Sequence, residues 1–214
     1  MEQYSFIRIN EAFPTEDLVG RWIIGLAVIH NDFLFLRKQL FMRTKDISEF
    51  VVEAPTSFKF LVASLREAIF YLEESQKHYE IKNYIELLPS SLLELHSRLT
   101  PLFRTGHKAD LLQRLTNIRN ITYHFSKPHR NEIVKALKEI QDQKIFYEDT
   151  ENRFLYAEHI RNSIILNSLF DPEEIKLQDQ QLLITGVLRE IKEAFEVFIK
   201  FSREVNKLYL KDFL

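Results

Sequence analysis

Cysteine is absent from this chain, and glycine and proline are scarce, with four and six among 214 residues. Without cysteine there can be no disulfide bond, no zinc site built on thiolates and no cysteine nucleophile. The scarcity of glycine and proline favours long helices over a sheet of many strands, which needs frequent turns. The formal net charge of −2 gives no global attraction to nucleic acid, so RNA binding would depend on a local basic patch.

Targeting and membrane signals are also missing near the N-terminus. The first residues lack a charged segment followed by a long apolar run, so we expect no signal peptide. The longest strongly apolar run, residues 22–29, is broken by Gly25 and is too short to span a bilayer. Hydrophobic residues make up 45% of the chain, which is enough for a folded core. We expect a soluble, cytoplasmic protein with no membrane association, folded as a single domain over residues 1–214.

Apolar residues recur at helical spacing through most of the chain and predict an all-α fold. The first long helix should follow Pro14 and run to about Leu40, with Thr15 as its N-cap. Two further helices are expected over about 55–77 and over 90–99, the second with Ser90 or Ser91 as its cap. Another should begin at 107 and carry the motif described below. The last three are expected over about 131–141, 157–170 and 173–210. The region before Pro89 is harder to assign.

Residues 144–157 differ from the helical regions in composition. Two runs rich in β-forming residues flank the polar turn 149–152, which predicts a small hairpin. The predicted architecture is therefore a single helical bundle of about six to seven helices with a small inserted β-hairpin near 144–157.

Familiar catalytic motifs are absent from the sequence. The four glycines are isolated, so there is no glycine-rich phosphate loop, and neither a His-Glu-x-x-His nor a Gly-x-Ser-x-Gly element occurs. The seven histidines form no i, i+4 pair, so the sequence predicts no helical metal site. We expect chemistry that uses no metal and no cofactor.

The segment TNIRNITYHFSKPHR, residues 116–130, holds the strongest candidate site. Arg119 is followed directly by Asn120 and, at the fifth position, by His124, whereas the Arg-Asn pairs at 130–131 and 161–162 have no histidine at this spacing. RNA cleavage by its own 2′-OH needs proton transfer and stabilisation of charge on the phosphorus. Histidine, with a pKa near neutrality, and arginine, with a permanently charged fork of donors, are suited to these two tasks.

This Arg-Asn-x-x-x-His element, near the end of a helix in a helical chain without cysteine, resembles the hallmark motif of the HEPN family. The resemblance implies a metal-independent endoribonuclease that leaves 2′,3′-cyclic phosphate ends and acts as a toxin or defence factor. Arg119 would stabilise the transition state, His124 would transfer protons and Asn120 would position the reacting groups. It also implies a homodimer formed through the motif helix.

The same resemblance covers proteins without catalytic activity. The alternative is therefore a non-catalytic HEPN-like binding or regulatory protein with a nucleotide, RNA or protein partner. A cognate antitoxin or a nucleotidyltransferase is a further partner that the resemblance allows.

Helix geometry limits what one copy of the motif can do. Asn120 and His124 lie on one helical face, but Arg119 lies roughly 140° from His124 on an ideal helix. A working site would therefore need a loosened helix end or a second chain. A purely structural interpretation stays open, with His124 at a polar helix end and Arg119 paired with Glu67 or Asp32.

Flanking basic residues are candidates for binding RNA phosphates. Lys127, His129 and Arg130 follow the motif directly, and three more basic residues precede its helix: Arg104, His107 and Lys108. The alternative is a pair of solvated loops.

Asn31 and Asp32 interrupt the apolar pattern of the first long helix. Such polar residues must face solvent or find partners, and a neighbouring helix could bring them to Arg119 or His124. The alternative is the polar stripe of an amphipathic helix.

Overall fold

The described part of the chain is helical and contains no strand, which confirms the all-α prediction for these residues. A computed structural model of the chain describes residues 6–41, 47–123, 134, 137–138, 155–170 and 180–213. The helices are α1 (Ile9–Ala12), α2 (Leu18–Phe41), α3 (Ile47–Ser75), α4 (Tyr79–Glu86), α5 (Ser90–Leu99), α6 (Ala109–Tyr123), α7 (Leu155–Leu169) and α8 (Gln180–Leu210), with 3₁₀ turns at Thr100–Leu102 and Lys211–Phe213.

The bundle is organised around three long helices. α2 packs between α3 and α8, α5 covers α8, α6 packs on α3, and α7 lies against α6. The ring of Phe33 on α2 lies 4.6 Å from that of Phe195 and 5.0 Å from that of Phe198, both on α8. All three side chains are buried, and each such burial stabilises the fold by about 1.5–3 kcal/mol.

α8 is apolar on more than one side because it is a central helix. Phe195, Val197, Phe198, Ile199 and Phe201 are all buried within the single chain. Its predicted start at about residue 173 lies outside the described ranges, which omit residues 171–179.

The cap of α2 differs from the prediction. The helix begins at Leu18, and Asp17 rather than Thr15 caps it: the Asp17 Oδ1 accepts a hydrogen bond from the Val19 N–H at 2.9 Å. The Asp17 Oδ2 also accepts from the Tyr209 hydroxyl at 2.8 Å. A contact with the far end of α8 therefore favours Asp17 over the nearby Thr15.

Proline marked one helix boundary correctly and another wrongly. α5 occupies Ser90–Leu99, as predicted, although its N-cap is Pro89 and neither Ser90 nor Ser91 caps it. α3 begins at Ile47, before Pro55, so the predicted start was wrong. Proline is disfavoured inside a helix because it lacks an N–H and crowds the preceding turn, but here the helix continues through it.

The predicted hairpin near 144–157 is not seen. Residues 144–154 lie outside the described ranges, and the last three residues of the span, 155–157, belong to α7. The helix predicted over about 157–170 corresponds to α7, which packs through Ile164, Ile165 and Leu169. It continues two residues further into the predicted second strand. Of the short helix predicted over 131–141, only Val134, Leu137 and Lys138 are described, and these are helical.

α2 is long enough and apolar enough to cross a membrane by length and composition, contrary to what its interrupted apolar run predicted. In this fold its inner face is buried in the bundle at Trp22, Ile23, Leu26 and Phe33. Of the apolar window Leu18–Leu40, 28% is buried inside the bundle. The opposite face leaves Ile24, Val28 and Phe35 exposed by 41%, 55% and 61%.

Two histidines make side-chain contacts within the bundle: His96 is buried and His30 is half-buried. His30 Nδ1 lies 3.0 Å from the Ser202 hydroxyl of α8, and His96 Nε2 lies 3.2 Å from the Gln76 amide nitrogen. Burial lowers the pKa of His30, and it also lowers the pKa of His96. The ring of His96 packs between those of Phe103 and Phe201.

We expect the free energy of unfolding to fall as the pH drops from about 7 to about 5. In this range the unfolded histidines, with a pKa near 6.5, bind protons that the folded His30 and His96 bind less readily. The substitution His96→Phe should weaken the pH dependence, since phenylalanine suits the aromatic surroundings and does not titrate. Urea denaturation at the two pH values measures the change.

The exposed His78 offers a matched control. His78→Gln should leave the pH dependence of stability as it is in the wild-type protein. An unchanged pH dependence in His96→Phe would contradict the assignment of His96 as an acid-sensitive contact.

Candidate functional site

α6 places the first part of the motif at a junction of helices. Leu111, Leu112, Leu115 and Ile118 are buried against the bundle and anchor this helix. Arg119 and Asn120 follow on the last described turn and are half-buried. His124 lies outside the described residues, as do Lys127, His129 and Arg130.

The Arg119 guanidinium reaches across to α3. Its Nε lies 3.2 Å from Glu67 Oε1, and its Nη1 donates a hydrogen bond to Asn120 Oδ1 at 3.2 Å. The side chains of Arg119 and Glu67 are 34% and 51% exposed. The ion pair between Arg119 and Glu67, one of the two that the structural interpretation named, is therefore present. The long arginine side chain also brings its charge to Asn120, although the two residues start on different helical faces.

A pocket of about 270 Å³ opens beside this ion pair, between α2, α3 and α6. Its lining residues are Ile29, Asp32, Phe33, Ala63, Ser64, Glu67 and Arg119. The structure thus brings Asp32 into the same pocket as Arg119, as the interruption of the α2 pattern suggested. Asn31 is exposed on α2 and is not part of this lining.

Charges around the pocket are nearly balanced. Glu67 Oε1 accepts a second hydrogen bond, from Arg66 Nη1 at 2.7 Å. The Arg66 guanidinium carbon lies 3.7 Å from the centre of the Phe70 ring, and its Nε donates to the Thr116 hydroxyl of α6 at 3.4 Å. Two arginines therefore share one glutamate, and the carboxylate of Asp32 lines the same pocket, so the formal charges of these four residues cancel.

Two of the three basic residues before the motif helix are already paired with acids. Arg104 bonds to Glu73 at 2.8 Å and to Glu74, and it lies over the Phe70 ring. Lys108 forms an ion pair with Glu190 at 3.1 Å. Of the three residues predicted to form a basic rim here, two are held by acids, so the described part of the rim offers phosphate little positive charge.

A second Arg-Asn pair serves as an internal comparison. Arg161 on α7 donates from Nη2 to the Thr56 hydroxyl of α3 at 2.7 Å, and burial lowers its pKa. Burial, followed by repulsion from Arg161, also lowers the pKa of Lys59. The arginine of this second pair thus joins α7 to α3, as Arg119 joins α6 to α3. Such a contact can be purely structural, so the structural interpretation of Arg119 stays open.

Ser64 is a pocket residue that no sequence motif marked. It lies three residues before Glu67, so the two side chains share one edge of α3. The only sequence signal was one serine within the apolar stretch 60–65, and single serines are common in helices. Within the described ranges, no group of three or more His, Asp or Glu side chains is placed to hold a metal ion.

Comparisons with known proteins give no relative. No protein-family model matches the chain, and no curated protein or solved structure is significantly similar to it. The family resemblance therefore depends on the motif and on the helical fold, and the function derived from it stays a proposal.

We expect the Arg119–Glu67 ion pair to contribute less than about 1 kcal/mol to stability, because both side chains are partly exposed to solvent. A double-mutant cycle of Arg119→Gln, Glu67→Gln and the double variant measures this coupling by urea denaturation. A coupling energy above about 2 kcal/mol would instead assign Arg119 a mainly structural role.

Proposed function

We propose that this chain is a metal-independent endoribonuclease of the HEPN type, acting in the cytoplasm as a toxin or defence factor. The main supporting observation is the contact between Arg119 and Asn120 at the edge of an open pocket, four residues before His124 in sequence. The pocket is accessible to solvent at Asp32 and Glu67, so a nucleotide can approach the guanidinium.

The proposed reaction is attack of an RNA 2′-OH on the adjacent phosphorus. The 2′ oxygen loses its proton, the bond to the 5′ oxygen breaks, and that oxygen gains a proton. The products carry a 2′,3′-cyclic phosphate and a 5′-OH. His124 transfers protons, while Arg119 donates hydrogen bonds to the phosphate oxygens as their negative charge grows. Asn120 accepts a hydrogen bond from Arg119 and so restrains the guanidinium.

A homodimer through the motif helix resolves the geometric problem of the motif. One ideal helix separates Arg119 and His124 by roughly 140°, so a pair from two chains can meet where a pair from one helix cannot. The exposed apolar face of α2, formed by Ile24, Val28 and Phe35, supports a protein interface close to the pocket, since Ile29 and Asp32 of the same helix line it.

A second candidate function is binding without catalysis. The observation that favours it is the engagement of Arg119 by Glu67, because a carboxylate competes with phosphate for the same donors. Such a protein would bind RNA, a nucleotide or a protein partner, such as an antitoxin or a nucleotidyltransferase, through the same pocket and motif helix.

Cleavage of mixed RNA in the presence of EDTA separates the two candidates. We expect the purified wild-type protein to produce 2′,3′-cyclic phosphate ends, and His124→Ala to lower the rate by about 100-fold or more, since it removes the proton-transfer group. Gel analysis with end-group mapping measures both results.

The exposed His78 at the start of α4 provides the control, and His78→Ala should cleave at the wild-type rate. Equal cleavage by His124→Ala and the wild-type protein would contradict the proposed role of His124. Absence of cleavage in both, together with retained RNA binding, would favour the non-catalytic function.

A further inference from the structure

The pocket between α2, α3 and α6 has two polar groups that the described structure does not use. The Asp32 carboxylate and the Ser64 hydroxyl line the pocket, and neither has a hydrogen-bond or ion-pair partner among the residues described. Glu67 and Arg119, by contrast, are bonded to each other. Ile29, Phe33 and Ala63 supply the apolar part of the lining. An apolar surface with a few convergent polar groups is typical of a ligand site.

The free carboxylate points to a ligand that presents hydrogen-bond donors. A carboxylate has two acceptor oxygens in one plane and is best matched by two parallel N–H groups. Asp32 is the available acceptor, since Glu67 is already shared between Arg66 and Arg119. The Ser64 hydroxyl can donate to an acceptor on the same ligand.

Among the RNA bases, guanine presents two such donors on one edge. Its N1–H and N2–H lie side by side with O6 next to them, so Asp32 can accept from both nitrogens while Ser64 donates to O6. Adenine and cytosine place an acceptor nitrogen beside the exocyclic amine, and uracil places its N3–H between two carbonyl groups. A carboxylate therefore discriminates against these three bases, which expose an acceptor where guanine exposes a donor.

We propose that this pocket binds the guanine base of single-stranded RNA and that Asp32 is its specificity-determining residue. The inference depends on the proposed function in one respect, since the RNA phosphate next to the bound guanosine is assigned to Arg119. The balance of Arg66 and Arg119 against Glu67 and Asp32 leaves the pocket near neutrality, so its carboxylates do not strongly repel the RNA backbone.

Binding of RNA that cannot be cleaved tests this inference separately from catalysis. Single-stranded hexamers with 2′-O-methyl groups throughout lack the attacking hydroxyl. Isothermal titration calorimetry with UUGUUU, UUAUUU, UUCUUU and UUUUUU, all at one salt concentration, compares the four bases. We expect UUGUUU to bind roughly tenfold more tightly than the others, a typical effect of one bidentate contact.

Asp32→Asn should lower the affinity for UUGUUU to that for UUUUUU, because the amide replaces one acceptor oxygen with a donor. Gln39→Ala, at an exposed position of the same helix, is the matched control and should keep the preference for guanine. Circular dichroism confirms that both variants are folded.

The failure of this inference is distinct from that of the proposed function. Equal affinity of the wild-type protein for all four hexamers, or a guanine preference that survives in Asp32→Asn, would overturn the guanine site. Cleavage of RNA in that case would leave the endoribonuclease proposal standing. Guanine-selective binding without cleavage would support the site and overturn the endoribonuclease proposal.

Discussion

The burial of α8 against α2 is the interaction on which the rest of this structure depends. The phenylalanines of α8 pack against Phe33 of α2 and fix the rotation of that helix. With Phe33 held inward, its neighbour Asp32 lies at the edge of the core, beside α3 and α6. A packing constraint deep in the bundle thus places a carboxylate in the pocket that also holds Arg119.

The environment of Arg119 combines two opposing requirements. Glu67 and Asn120 restrain the guanidinium, so it would lose less conformational freedom on binding the phosphate of the proposed substrate. The same carboxylate competes with phosphate for the guanidinium donors. Partial exposure weakens the ion pair, and Arg66 takes up part of the charge on Glu67, so the phosphate of the proposed RNA substrate would compete with a weakened contact.

Much of the fold followed from the spacing of apolar residues. The positions of α2, α5 and α6 were predicted within a few residues, because their buried faces are regular and each helix begins shortly after a proline or glycine. The start of α3 was not, since proline is a strong but not absolute boundary signal. The cap at Asp17 could not be inferred because Tyr209, which bonds to it, is distant in sequence.

The site was predictable only in part. The motif identified Arg119 and Asn120, and the polar interruption of α2 identified Asp32. The pocket lined by Arg119 and Asp32 depends on how three helices pack, which no local pattern encodes. Ser64 illustrates the limit, because a single serine on a helix edge has no distinctive spacing, and only the approach of α2 and α6 gives it a role.

Subunit complementation tests the central claim, that Arg119 and His124 of different chains form one site. Inactive Arg119→Gln and His124→Ala proteins are mixed and allowed to exchange subunits. When equal amounts exchange freely, half of the dimers contain one copy of each variant, and each of these dimers has one intact site out of two. About a quarter of all sites are then intact, so the account predicts recovery of about a quarter of the wild-type cleavage rate. A mixture as inactive as the separate variants, despite proven subunit exchange, would contradict it.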